Sequence, residues 1–119
     1  MIKLDGLIYG MMARCQSLSI LPKFVFHNSD FDKAIIEGEY RSLDLTPPPW
    51  HSYIFCTMKA LTPVMRLHNP RGRGYKWPRL EEAHRYMFGE DFSSAHTADA
   101  DVKATMRVYF EGRKRGHWL

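Results

Sequence analysis

Apolar positions recur along this chain in two rhythms, one of three to four residues and one of short unbroken runs. Leu7, Met11, Met12, Cys15 and Leu18 follow the first rhythm and predict a helix over 7–18, which Pro22 breaks. Phe24-Val25-Phe26 follows the second and predicts a short strand. The polar turn His27-Asn28-Ser29-Asp30 comes next, with Asn28 or Ser29 placed to cap a helix from Phe31 to Arg41. That helix is expected to turn Ile35 and Ile36 toward the core, and Gly38 weakens it by about 1 kcal/mol relative to alanine. Pro47-Pro48-Pro49 cannot be helical and predicts a stiff extended connection. Ser52 to Thr57 predicts a second strand, and Met58 to Leu61 a short helix ending near Pro63.

Asn69 to Tyr75 forms a basic, glycine-rich loop. Pro78 suits the first turn of a helix whose inner stripe is Leu80, Ala83, His84 and Met87 and whose end is Gly89. A last helix is expected from Thr97 to Arg113. Its apolar face is expected to hold Ala98, Val102, Met106, Tyr109 and Phe110. Asp99, Lys103, Arg107 and Glu111 fall on a charged face, where Lys103 and Arg107 are expected to pair with Asp99 and Glu111. Gly116 closes the helix. Strands alternating with helices predict an α/β unit, but two strands make a small sheet, so the expected fold is incomplete.

With 119 residues the chain is one domain or part of one. Three Trp, six Tyr and seven Phe within a 45% hydrophobic composition can build a core and exclude a disordered tail. A net charge of +4 is compatible with a polyanionic partner without requiring one. Cys15 and Cys56 are far apart and form no Cys-x-x-Cys pair, which argues against a zinc ribbon or redox motif and predicts free thiols in a reducing cytoplasm. No apolar run approaches the roughly 20 residues of a membrane span, and the first residues lack the order of a signal peptide. The chain is therefore expected to be cytoplasmic, with no membrane partner.

Two segments carry candidate chemistry. His96-Thr97-Ala98-Asp99-Ala100-Asp101 puts an imidazole just before a helix and a carboxylate in its first turn. A carboxylate so placed can hold a divalent cation, and the histidine can take a proton from metal-bound water. Phe24 to Asp32 ends a strand in a polar turn and begins a helix on an aspartate, at the strand end where open α/β sheets bind ligands. A capped helix start with solvated acids would look the same in each case, so spacing alone leaves both readings open.

Together the segments read HN-x-x-FD, then CTMK, then GYKWPRLEEA, then H-x-x-x-x-DV-x-AT. This pattern resembles the DEDDh-type 3′→5′ exonucleases of the ribonuclease H-like class, over about 24–115 of a single partial domain spanning 1–119. By the resemblance Asp32 and Asp101 are metal ligands, His96 is the general base, and Asn28 and Phe31 frame the second motif at the substrate. Thr97 stands where relatives often carry aspartate. The family holds two divalent ions, Mg²⁺ or Mn²⁺, on four acids, and releases nucleoside 5′-monophosphates from a single-stranded 3′ end, DNA more than RNA.

The family's first motif, Asp-x-Glu, does not precede Asp32. Asp5 has Leu7 where the glutamate would stand, and 17 residues separate Gly10 from Asn28, too few for the strands expected between the motifs. Three origins stay open: a truncated product, a fragment, or completion in trans by another chain or a polymerase. The function implied is exonucleolytic, with a non-catalytic nucleic-acid-binding or polymerase-associated module as the alternative. Arg71, Arg73 and Lys76, beside Tyr75 and Trp77, could hold phosphates and stack a base, although Trp77 is expected to tuck into the core. His27, His51, His68, His84 and His117 show no ligand spacing.

Overall fold

The computed structural model describes residues 2–92 and 97–119. It is mixed α/β and mostly helical. In chain order it contains α1 (Ile2–Ser17), β1 (Phe24–Phe26), α2 (Ser29–Ser42), a 3-10 turn (His51–Tyr53), β2 (Ile54–Cys56), α3 (Thr57–Met65), α4 (Leu80–Phe88) and α5 (Ala98–Lys114). β1 and β2 pair in a two-stranded parallel sheet. No described helix is long and apolar enough to cross a membrane. The chain divides into two compact units, Met1–Phe24 with Ser29–Phe55, and Val25–Asn28 with Cys56–Leu119.

The first unit is built around Tyr40, Trp50 and Ile8, all buried. The Trp50 indole N–H donates to Glu37 Oε2 at 2.9 Å, and Phe24 meets the Trp50 ring edge-on at 5.3 Å. That indole, more than burial opposes it and with Lys33 assisting, holds the Glu37 carboxyl below its ordinary range. α1 starts earlier than its periodicity suggests and carries Asp5 within it. Its covered positions are Leu4, Asp5, Ile8, Met12 and Cys15, while Leu7, Met11 and Leu18 face outward. The expected stripe was one register off, because Met11 and Met12 satisfy two competing helical faces. On α2 Ile36 is half-buried but Ile35 is exposed, so only one of that pair turns inward. Burial, then the adjacent Asp5 carboxylate, push the Tyr40 hydroxyl up to about 12.

In the second unit α3, α4 and α5 pack on one another around Leu61, Ala83, Met87 and Val108. α3 runs on past Pro63 to Met65, against the expected stop. Pro63 removes one backbone donor but falls in the last turn, and Arg66 ends the helix in the left-handed region at φ 53°, its N–H on the Thr62 carbonyl at 3.2 Å. α4 matches its predicted inner stripe, with Ala83, His84 and Met87 buried and Gly89 as C-cap at φ 70°.

α5 does not match. Thr97 caps it, accepting from the Ala100 N–H at 3.3 Å, but its buried positions are Ala104, Val108, Tyr109 and Gly112. Of the predicted apolar face only Tyr109 is inside; Ala98, Val102, Met106 and Phe110 are exposed. Val108 packs with Leu61, Ala83 and Met87, and Trp118 folds over Gly112, so the side of α5 that carries these two residues is the one turned inward. The charged face is also partly rewired. Lys103 pairs with Asp99 at 3.0 Å as expected, whereas Arg107 reaches away from Glu111 to α4 and the segment after it.

Candidate nucleic-acid interface

Between α3 and α4 the chain doubles back on itself. His68 and Tyr75 form an antiparallel bridge, and the Lys76 N–H donates to the Leu67 carbonyl at 2.9 Å. Asn69 Oδ1 accepts from the Arg71 N–H at 3.0 Å, and Gly74 supplies the positive φ of 79° that closes the turn. Past the bridge the backbone is extended, so side chains alternate. Pro78 points in and is buried; Tyr75, Trp77 and Arg79 point out.

Trp77 is therefore not tucked into the core, against expectation, but 57% exposed, with Tyr75 at 46%. The cause is the anchor beside it. Glu82, in the first turn of α4, accepts from the Arg79 N–H at 2.8 Å and from the Lys76 ammonium. Burial works to raise the Glu82 carboxyl, but these donors outweigh it and hold the group below its ordinary range. With Lys76 drawn in toward Glu82, alternation leaves Trp77 outside. Arg71 and Arg73 are exposed on the turn, with no carboxylate in ion-pair reach among the described residues. Two cations and two aromatic faces thus share one short exposed hairpin, which can bind phosphates by charge and bases by stacking.

Three of the four segments of the sequence pattern meet at His27. The imidazole Nε2 lies 2.9 Å from the Pro78 carbonyl and Nδ1 2.8 Å from Thr57 Oγ1. A carbonyl only accepts, so Nε2 carries the proton. Burial is the main influence on this ring and lowers its pKa; the Pro78 carbonyl and the Glu81 charge oppose it without prevailing. The neutral ring then accepts the Thr57 hydroxyl proton on Nδ1. If His27 were charged, Nδ1 would donate instead, and the hydroxyl would turn to the Phe26 carbonyl 3.2 Å away. His27, Thr57 and Pro78 thus tie the end of β1 to the starts of α3 and α4. His84 is likewise structural. Its Nδ1–H donates to the Glu90 carbonyl at 2.8 Å, and Nε2 accepts from Arg107 Nη1 at 2.9 Å.

Asp32 lies in the first turn of α2 in the first unit, half-buried, and desolvation raises its pKa. Phe31 beside it is 61% exposed. Asn28 belongs to the second unit, in the left-handed region at φ 77°, where it turns the chain out of β1. Asp101 is half-buried in the first turn of α5, its N–H on the Thr97 carbonyl at 2.9 Å and its carbonyl accepting from Thr105 Oγ1 at 2.8 Å. His96 lies outside the described residues. Among the described residues no three His, Cys, Asp or Glu side chains converge as a cation site. Asp32 and Asp101 alone would leave most of the coordination of two ions to water. Compared with protein-family models, curated proteins and solved structures, the chain matches none.

Proposed function

We propose that this chain binds single-stranded nucleic acid, DNA in preference to RNA, as a module of incomplete ribonuclease H-like exonuclease type in a reducing cytoplasm. The observation that carries this reading is the exposed hairpin with Trp77 and Tyr75 beside Arg71 and Arg73. Its test is a titration of a short oligothymidylate against tryptophan fluorescence at several salt concentrations. Binding should weaken as salt rises. Trp77→Ala should weaken it about tenfold, the loss of one stacked base. Arg71→Ala with Arg73→Ala should flatten the salt dependence by roughly 1.4 in log–log slope, because two phosphates are then no longer neutralised. Affinity indifferent to salt and to Trp77 sinks the proposal.

A second reading is favoured by one specific observation, the order and spacing of Asp32, His96 and Asp101 in the exonuclease-like pattern. In it the chain removes nucleoside 5′-monophosphates from 3′ ends with two Mg²⁺ or Mn²⁺ ions, the missing acids coming from another chain or a polymerase. Incubation of 5′-labelled single-stranded DNA with Mg²⁺, Mn²⁺ or EDTA, beside His96→Ala, decides it. A metal-dependent ladder lost in the variant supports cleavage. Binding without any ladder leaves the module non-catalytic.

A further inference from the structure

α5 presents to solvent the ridge that its sequence marks for a core. Ala98, Val102, Met106 and Phe110 follow one another at four-residue steps along the helix, and Val102, Met106 and Phe110 are 68%, 52% and 56% exposed. The opposite face is already used: Val108 packs in the core shared with α3 and α4, Ala104 is buried and Trp118 covers Gly112, so this ridge is surplus to the fold of the second unit. A row of exposed apolar side chains at i, i+4, i+8 is the ridge that interdigitates with an identical one when two helices cross.

The charges beside the ridge say what fits it. Asp99 stands in the first turn of α5, Arg113 and Lys114 in the last, and all are exposed. Met106 is the midpoint of the 17-residue helix, with Asp99 and Arg113 each seven residues away from it. We propose that α5 is a self-association surface on which a second copy of this chain packs its own α5 in antiparallel orientation, with the two-fold axis at Met106. That symmetry sets Met106 against Met106 and Val102 against Phe110 of the second copy. It also brings Asp99 beside Arg113 at both ends and opposes the two helix dipoles. A parallel pairing would instead set acid on acid and base on base. One helix face is small for an interface, so the dimer is weak and reversible. Association through α5 needs no nucleic acid.

The test is sedimentation velocity of the whole chain from about 1 to 200 µM, the range in which a small interface saturates. Reversible monomer–dimer exchange is expected, weakening as salt rises. Met106→Glu puts like charges on the axis and should leave only monomer, with an unchanged thermal melt showing that the fold is intact. Asp99→Arg and Arg113→Asp should each weaken the dimer about tenfold, and the double reversal should restore it to within about threefold, because each new charge again meets its opposite. A wild-type chain that stays monomeric throughout the range overturns the proposal. So does a double variant as weak as the singles, which would mean another register or another occupant of the ridge. Open-ended assembly would mean a head-to-tail contact and overturns it as well.

Discussion

Gly112 and Trp118 offer a prediction whose sign can be worked out in advance. Gly112 lies on the buried face of α5, and the Trp118 indole folds back over it. A Cβ at position 112 would stand 2.0 Å from Trp118 Cζ2 and 2.1 Å from Cη2. Carbon atoms settle at about 3.5 Å or more, so the ring must withdraw by roughly 1.5 Å. That withdrawal breaks the Trp118 Nε1–H bond to the Tyr109 carbonyl, 3.0 Å long, and loosens the packing of the indole on the core cluster of Leu61, Ala83, Met87 and Val108. The bond is worth about 1 kcal/mol and the half-buried indole about 2 kcal/mol. Against this, alanine in place of glycine within a helix stabilises by about 1 kcal/mol. Gly112→Ala should therefore destabilise the wild-type chain by about 1–2 kcal/mol. In a Trp118→Ala background the three nearest obstructing atoms are gone, and the same substitution should stabilise by up to about 1 kcal/mol. Urea unfolding of the four proteins, followed by far-ultraviolet circular dichroism at constant m-value, measures both effects. Equal effects in the two backgrounds, or stabilisation in the wild type, would refute the account of why position 112 is glycine.

Other predictions follow from buried polar groups. The buried Tyr40 hydroxyl has only the Asp5 carboxylate beside it, outside good hydrogen-bond geometry, so Tyr40→Phe should change stability by no more than about 1 kcal/mol. Because its folded pKa lies near 12 and so above the ordinary value of about 10, its contribution is complete below pH 10 and is lost as pH rises from there toward 12. Tyr40→Phe should remove that alkaline loss from a series of thermal melts; an unchanged alkaline slope would count against the burial argument. The His27 shift has the opposite consequence. Its folded pKa is depressed, so the unfolded chain takes up the proton first, and stability is lost as pH falls from about 6.5 through the folded value. His27→Phe should show a shallower loss between pH 7 and 5 than the wild type, whatever its absolute stability. Arg107→Ala leaves the buried His84 Nε2 without a donor and removes the guanidinium 4.2 Å above Phe88, and should cost about 2 kcal/mol in urea unfolding. A loss under about 0.5 kcal/mol would show that water replaces the arginine there.

Much of the local structure was legible along the chain. β1 falls on Phe24–Phe26, α4 shows its true inner stripe, and Gly89 and Gly116 end their helices with φ of 70° and 82°. α4 is readable because it has a single apolar stripe. α5 is not, because it has two: a bulky ridge of Val102, Met106 and Phe110, and a small one of Ala104, Val108 and Gly112. Hydrophobicity favours the bulky ridge as core, while the packed structure buries the small one and fills the space over Gly112 with Trp118. Trp77 misleads in the same way, since an indole reads as core until Glu82 is seen to hold Lys76 and thereby turn its neighbour out.

For the candidate site, the sequence supplied the pattern that contains Asp32, His96 and Asp101 and the basic-aromatic composition of the hairpin. It did not show that His27, Thr57 and Pro78 join three segments of that pattern through one imidazole. By itself the sequence determined which segments become helices and strands and several of their ends, because capping, turn geometry and periodicity act between residues a few positions apart, although α1 begins earlier and α3 ends later than their own patterns indicate. Only the tertiary structure decided which face of α5 is buried, which tryptophan is exposed and which histidine carries which proton. Those outcomes depend on partners tens of residues away, and nothing in a helix's own periodicity says which of two apolar faces its neighbour will take.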